Sequence, residues 1–221
     1  MTTNQQIDPN EDFSEVINWD ALFEQAETFK NNKPFRFAFV KGIFKQDFYD
    51  KLYESFPKFN KNWFVNNDYR RAAKCRNLHR KDESSPQYDE TISPEWNKFK
   101  RLICSNQFVE NFSRFSGAKF SSIYESGFFA NSKADFQLPH IDEDGEYKHK
   151  LQIMFYFSKG WQKGDAGGTY LCESDDEDSI FFEPYDLDNS MVCFEETPHS
   201  WHGTRYITKD VVRQAASASL K

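Results

Sequence analysis

The sequence predicts a mainly β domain (α+β), with a sandwich or jelly roll in its second half and supporting helices in its first. After Gly117 the runs "KFSSIYESGFFANS", "DFQLPHID", "KLQIMFYFS", "GGTYLCES", "SIFFEPY", "SMVCFEE" and "RQAASASLK" are short, β-rich and separated by turn-forming residues. Before Gly117 the apolar residues recur mostly at helical spacing. Only 38% of the 221 residues are apolar, yet 24 Phe, 10 Tyr and 5 Trp can build a core largely from aromatic rings. That length suits one compact domain.

In chain order, residues 1–15 are polar and read as a frayed tail, and 16–221 as a single domain: a helical support region over 16–117 and the β core over 118–221. "EVINWDALFEQAETFKNN" spaces Val16, Trp19, Leu22, Phe23, Ala26 and Phe29 as a helix does. "KPFRFAFVKGIF" alternates like a strand, and "KQDFYDKLYESFP" resumes a helical period that stops before Pro57. Residues 60–85 are polar and basic with no period, so a long loop or flap is expected there. "SPEWNKFKRLICSNQFVENFSRFSG" reads as one or two helices ending at Gly117. Gly167 and Gly168 permit a tight turn or bulge between strands. The acidic run "DDED" at 175–178 lacks the alternating ligands and glycine of a calcium loop and reads as a solvated hairpin tip.

A formal charge of −7 argues for a soluble acidic protein without general affinity for nucleic acid or an anionic membrane. No stretch has the roughly 18 consecutive apolar residues of a membrane helix, and "MTTNQQIDPNEDF" lacks the marks of a secretory leader, so a cytoplasmic location is expected. Cys75, Cys104, Cys172 and Cys193 are scattered without zinc-site spacing and read as reduced thiols. Nothing in the sequence speaks to oligomeric state.

Of five histidines, His79 and His149 lie in charged surroundings and read as surface residues, which leaves His140, His199 and His202. In "LPHIDEDG", His140 and Asp142 are two apart, so at a strand end both point to one side and can share an ion, with Ile141 turned the other way into the sheet. Glu143 and Asp144 read as turn residues beyond them. An iron(II) that activates oxygen needs protein ligands on one face and open positions opposite, which two imidazoles and one carboxylate provide. The third ligand must come from elsewhere, and "SWHG", 62 residues on, offers His202, with His199 as the competitor.

The order and spacing of these pieces resemble the iron(II)- and 2-oxoglutarate-dependent oxygenases, most closely their prolyl-4-hydroxylase-like branch. "HID" is followed by "LQIMFYFSKGW", which puts Tyr156 and Trp161 fourteen and nineteen positions after Asp142, then by "GDAGGTYL", "MVCFEETPHSWHG" and Arg213, eleven residues past His202. The resemblance runs from about Phe35 to the C-terminus and is specific from Leu138 to Leu220. It implies a double-stranded β-helix (jelly-roll) core with N-terminal helices packed on one sheet. It also implies Fe(II) on His140, Asp142 and His202, and the distal carboxylate of 2-oxoglutarate clamped by Arg213, with Arg205 the competitor. Tyr156 would add a hydroxyl to that carboxylate, while Gln152 and Met154 would line the cavity. The implied reaction couples oxidative decarboxylation of 2-oxoglutarate by O2, giving succinate and CO2, to hydroxylation of an unactivated C–H bond, with ascorbate as a reductant.

The expected substrate is a small or carrier-attached molecule, with a protein residue as second choice. From the basic run, Arg70 and Arg71 are its candidate contacts. Trp161 and Trp201 read first as packing residues, Trp201 being kept as a substrate candidate. A cupin-type jelly roll that binds metal without 2-oxoglutarate is the reading from another class, and the placing of Arg213 speaks against it.

Overall fold

The computed structural model describes residues 11–80, 82–83, 85–142 and 150–221. Glu143, Asp144 and His149, the Lys81 end of the basic run and positions 1–10 of the expected tail lie outside them. From Glu11 onward the chain is anchored rather than frayed: Phe13 is fully buried and the Glu11 carboxylate meets the Arg101 guanidinium at 2.8 Å.

Five helices precede or interrupt the early strands: α1 (Trp19–Glu24), α2 (Ala26–Asn31), α3 (Gln46–Glu54), α4 (Pro94–Ile103) and α5 (Asn106–Ser116). The single helix expected over the first run is thus two, separated at Gln25. The ends of α4 and α5 follow from side-chain chemistry. Ser93 and Ser105 accept the backbone N–H groups of Trp96 and Phe108 at 3.1 and 3.2 Å, supplying partners that no helical carbonyl can. Pro94 occupies the first turn of α4, and Gly117 stops α5 in the left-handed conformation at φ 74°.

The strands are β1 (Phe37–Lys41), β2 (Phe64–Asn67), β3 (Arg71–His79), β4 (Ile123–Asn131), β5 (Phe136–His140), β6 (Leu151–Tyr156), β7 (Tyr170–Cys172), β8 (Ile180–Phe182), β9 (Ser190–Glu195), β10 (Trp201–Thr204) and β11 (Arg213–Leu220). They pair in the order β1-β9-β6-β11-β4-β3-β5-β10-β7-β8, with β2 attached to β3, and every pairing is antiparallel. This sheet curls into a jelly roll with the helices on one face, as the sequence predicts.

The basic segment corrects the expectation of a loop. It forms the β2–β3 hairpin, and β3 bridges β4 and β5. Its buried positions include Arg76 and His79, each 4% exposed, where a half-buried strand usually carries large apolar residues, so no hydrophobic alternation marks it. Arg76 pairs through Nη2 with Asp89 at 2.7 Å, and His79 lies beside Glu83 at 3.2 Å in the interior rather than at the surface. The "DDED" run does sit at the exposed tip between β7 and β8.

Alternation decides which face of the large sheet does what. Phe128 and Ala130 of β4, Leu151, Ile153 and Phe155 of β6, and Ala216, Ala218 and Leu220 of β11 join the helices in the main core. The Trp96 ring anchors it, edge-on to Phe128 at 4.8 Å and to Phe157 at 4.9 Å, and its Nε1–H donates to the Leu52 carbonyl at 3.1 Å. The opposite residues of the same strands face a cavity.

Two neighbouring glycines tie the rim to the sheet. Gly167 adopts φ 144° against the Trp161 ring, and a Cβ on Gly168 would stand 2.0 Å from the Pro184 carbonyl oxygen. Trp161 donates its Nε1–H to the Ala166 carbonyl at 3.0 Å, which makes it a packing residue. Gly168→Ala forces backbone apart and should destabilise the fold by about 1–3 kcal/mol, read as a lowered midpoint in chemical unfolding; an unchanged midpoint would show that the contact is not needed.

Candidate active site

Strands β5 and β10 pair so that His140 and His202 face each other directly. Opposed side chains on adjacent strands are neighbours by construction, and the two rings lie 4.2 Å apart between centroids. Asp142 sits two residues beyond His140, just past the end of β5. Its Oδ1 is 3.5 Å from His140 Nε2 and its Oδ2 is 3.6 Å from His202 Nε2. One ligand atom from each of the three residues fits within 4.8 Å of the others, a spacing that a single metal ion can span. Ile141 does not turn into the sheet: it is half-exposed on an outer groove, because the strand has already ended.

The ring orientations suit metal binding. His140 Nδ1 is 3.1 Å from the Leu138 carbonyl and His202 Nδ1 is 3.0 Å from that of Ser200. A proton on each Nδ1 leaves each Nε2 with a lone pair on the side of Asp142, and the one on His140 accepts from the Gln137 amide, whose nitrogen lies 2.9 Å away and would have to give way to an ion. Burial, and then the neighbouring His140, pushes His202 down to about 4, so its imidazole is neutral near pH 7. Burial also raises the Asp142 carboxyl, but hydrogen bonds and the two imidazoles outweigh it and hold the group well below the usual carboxylate range. Phe194 packs on the His202 ring at 4.7 Å, and a Cβ on Gly203 would meet the Gln137 carbonyl at 2.5 Å, so the chain beside His202 is close-fitted.

These groups open on a cavity of about 260 Å³ whose wall comes from β3, β4, β5, β6, β9, β10 and β11. Gln152 and Met154 of β6 line it, as expected of their shared face. Gln152 does more than line it: its Nε2 donates to Asp142 Oδ2 at 2.9 Å, while its Oε1 accepts the Ser219 hydroxyl. The sequence pattern placed Gln152 on the cavity wall; its contact there is with the Asp142 carboxylate. Ser219, Thr169 and Asn131, which no motif singles out, complete the polar wall and become visible only through strand register.

Arg213 lies against the cavity, 2% exposed. Its Nη1 donates to Asn131 Oδ1 at 3.2 Å and its Nη2 to Thr169 Oγ1 at 3.3 Å, while Nε has no partner. Among the described residues these hydrogen-bond partners are neutral, and its carbon Cζ stands 5.3 Å from the Tyr156 ring centroid. Burial lowers the Arg213 pKa, against the pull of Tyr156, without bringing it near neutrality. Tyr156 is fully buried, its hydroxyl accepts the Thr169 N–H at 2.9 Å, and burial raises its pKa, which keeps a phenolic proton beside the guanidinium.

The competitors separate cleanly. His199 is exposed in the turn between β9 and β10, away from the triad, and Arg205 is paired with Glu183 at 2.6 Å. Arg71 lines the cavity, whereas Arg70 and Trp201 face a groove outside it shared with Pro139, Ile141 and the acidic hairpin tip.

The sequence matches no protein-family model and no curated protein at a significant level. Solved structures do match. A prolyl-4-hydroxylase from Pseudomonas putida aligns over 92% of this chain and 98% of its own with a TM-score of 0.62 and 11% identity. A prolyl hydroxylase from Trichoplax adhaerens, solved with a hypoxia-inducible-factor peptide, gives 91% and 88%, 0.58 and 13%. HygX from Streptomyces hygroscopicus, solved with nickel, 2-oxoglutarate and hygromycin B, gives 89% and 86%, 0.56 and 12%. At these identities the likeness is one of fold, and the chain has the fold of the 2-oxoglutarate- and iron(II)-dependent oxygenases of the prolyl-4-hydroxylase-like kind.

Proposed function

We propose that the protein is an Fe(II)- and 2-oxoglutarate-dependent oxygenase that hydroxylates an unactivated C–H bond of a small or carrier-attached molecule. The observation that carries this reading is the pairing, in one cavity, of a His-Asp-His set with a buried guanidinium that has no acid beside it among the described residues. A buried cation with only neutral partners is costly to keep, and a carboxylate arriving from solution would relieve that cost with parallel hydrogen bonds. A jelly roll that merely bound metal would have no use for it.

Fe(II) held by His140, Asp142 and His202 would supply the oxidising chemistry, with 2-oxoglutarate and O2 consumed and succinate and CO2 released as the substrate gains a hydroxyl. The protein's own part is geometric and electrostatic. Leu138 and Ser200 carbonyls hold the imidazole Nδ1 protons and so aim the Nε2 atoms. Gln152 orients the Asp142 carboxylate from behind. Arg213, with Tyr156 and Thr169 around it, would hold the distal carboxylate of the cosubstrate and leave its keto end toward the metal. Met154, Phe129 and Phe194 give the cavity an apolar lining that limits water. The size of the cavity supports this substrate reading: about 260 Å³ admits the reacting group of a molecule alongside the cosubstrate, with the remainder outside.

The deciding experiment is anaerobic addition of Fe(II) with and without 2-oxoglutarate. A new visible absorption band that needs both is expected; stoichiometric iron without a 2-oxoglutarate-dependent band would instead support the cupin-type reading. Asp142→Ala should abolish iron binding and succinate formation together, and retained turnover would sink the assignment. Arg213→Leu should weaken 2-oxoglutarate binding by about 10- to 100-fold, measured by calorimetry, while iron still binds. Gln152→Leu should cost about 10- to 100-fold in metal affinity by freeing the carboxylate, and equal loss of 2-oxoglutarate affinity at saturating metal would return Gln152 to a cosubstrate role.

A further inference from the structure

The cavity holds a second guanidinium that the reading above leaves unused. In the basic segment three cations are already engaged among the described residues: Lys74 pairs with Asp135 at 2.7 Å, Arg76 with Asp89 at 2.7 Å and Arg80 with Asp82 at 2.9 Å. Arg71 differs. Its side chain lines the same cavity as the His-Asp-His set, its Nε is buried with no hydrogen-bond partner, and its Cζ stands 5.9 Å from the Phe129 ring centroid. Its backbone is fixed, since Asp68 Oδ1 accepts the Arg71 N–H at 3.0 Å and the Arg71 carbonyl accepts the Asp68 N–H at 2.9 Å. Pairing with Gln137 of β5 then sets it three residues from His140 along the neighbouring strand.

The proposed cosubstrate, placed as above, leaves Arg71 without an assigned anion. Its distal carboxylate is assigned to Arg213 and its other end to the metal, so a cation left in the wall of the same cavity calls for a second anion. We propose that Arg71 binds an anionic group, a carboxylate or a phosphate, of the molecule that is oxidised, which makes that molecule an organic acid or a phosphate ester. The inference rests on the oxygenase reading for the word "oxidised", whereas the anion site itself depends only on Arg71. The Phe129 face restrains the guanidinium without neutralising it, so the donor fork remains available to a planar or tetrahedral oxyanion.

The test titrates inorganic phosphate and, separately, acetate into full-length protein saturated with 2-oxoglutarate, reading binding by calorimetry and by the shift in thermal midpoint. Wild type should bind at least one of them, with phosphate pointing to a phosphate ester and acetate to a carboxylic acid. Arg71→Leu should weaken that binding at least tenfold and leave 2-oxoglutarate binding unchanged, with Arg71→Lys intermediate. Lys61→Leu, an equal loss of charge at an exposed position, should change nothing. Neither anion binding, or equal binding to Arg71→Leu, overturns the proposal, as does loss of 2-oxoglutarate binding in Arg71→Leu, which would make Arg71 part of the cosubstrate clamp. If wild type takes up no 2-oxoglutarate, the oxygenase reading fails by itself; the same titration of Arg213→Leu against the Arg71→Leu, Arg213→Leu double variant then decides the anion site.

Discussion

Everything in this structure depends on the two-residue alternation of an antiparallel sheet that has different work on its two sides. On β6, Leu151, Ile153 and Phe155 enter the aromatic core, while Gln152, Met154 and Tyr156 face the cavity or the buried arginine. On β11, Ala216, Ala218 and Leu220 take the first role and Arg213, Ser217 and Ser219 the second. A slip of one residue in either pairing would bury charge under the helices and turn apolar residues into the site. The packing of Trp96, on α4, against Phe128 and Phe157 therefore does more than stabilise: by making the wrong register costly, it fixes where the polar residues point.

The same constraint explains why much of the site was legible in the sequence. His140 and Asp142 at a spacing of two, His202 on a later strand and Arg213 after it are residues whose chemistry is unusual enough to stand out at fixed intervals. The helices were legible because their starts and stops are written in Ser93, Ser105 and Gly117. Strand β3 was not, because its inward positions include Arg76 and His79 and its pairing partners are strands remote in sequence. Nor was the contact of Gln152: period two places it in the cavity, but its bond to Asp142 depends on where the chain goes after β5 ends. The pairing of Arg205 with Glu183, just past β8, and the neutral hydrogen-bond partners of Arg213 are likewise tertiary facts.

The two histidines and the carboxylate are held by different means, and this bears on how the site can be tuned. His140 and His202 are opposed across a strand pair, so backbone hydrogen bonds set their separation and carbonyls two residues back fix their rings. Asp142 lies beyond the strand, and its position is set by side chains, chiefly Gln152, itself fastened to Ser219 of β11. The histidines form a rigid edge and Asp142 a carboxylate adjustable through one amide. Changes around Gln152 can therefore move that carboxylate without disturbing the sheet.

Charge completes the argument. Asp142 would offset part of the charge of a divalent ion in the proposed site, but Arg213 and Arg71 stand on the wall of the same cavity with no acid paired to them among the described residues, in a protein whose net charge is −7. A chain with 35 acidic residues has not placed one against either guanidinium among the described residues, although it pairs Lys74, Arg76, Arg80 and Arg205 nearby. Surface neutralisation alone would not produce that pattern. A cavity that is to receive anions must leave its cations free beforehand and hold them in place by other means, and neutral hydrogen bonds around Arg213 and a ring face beside Arg71 are means of that kind.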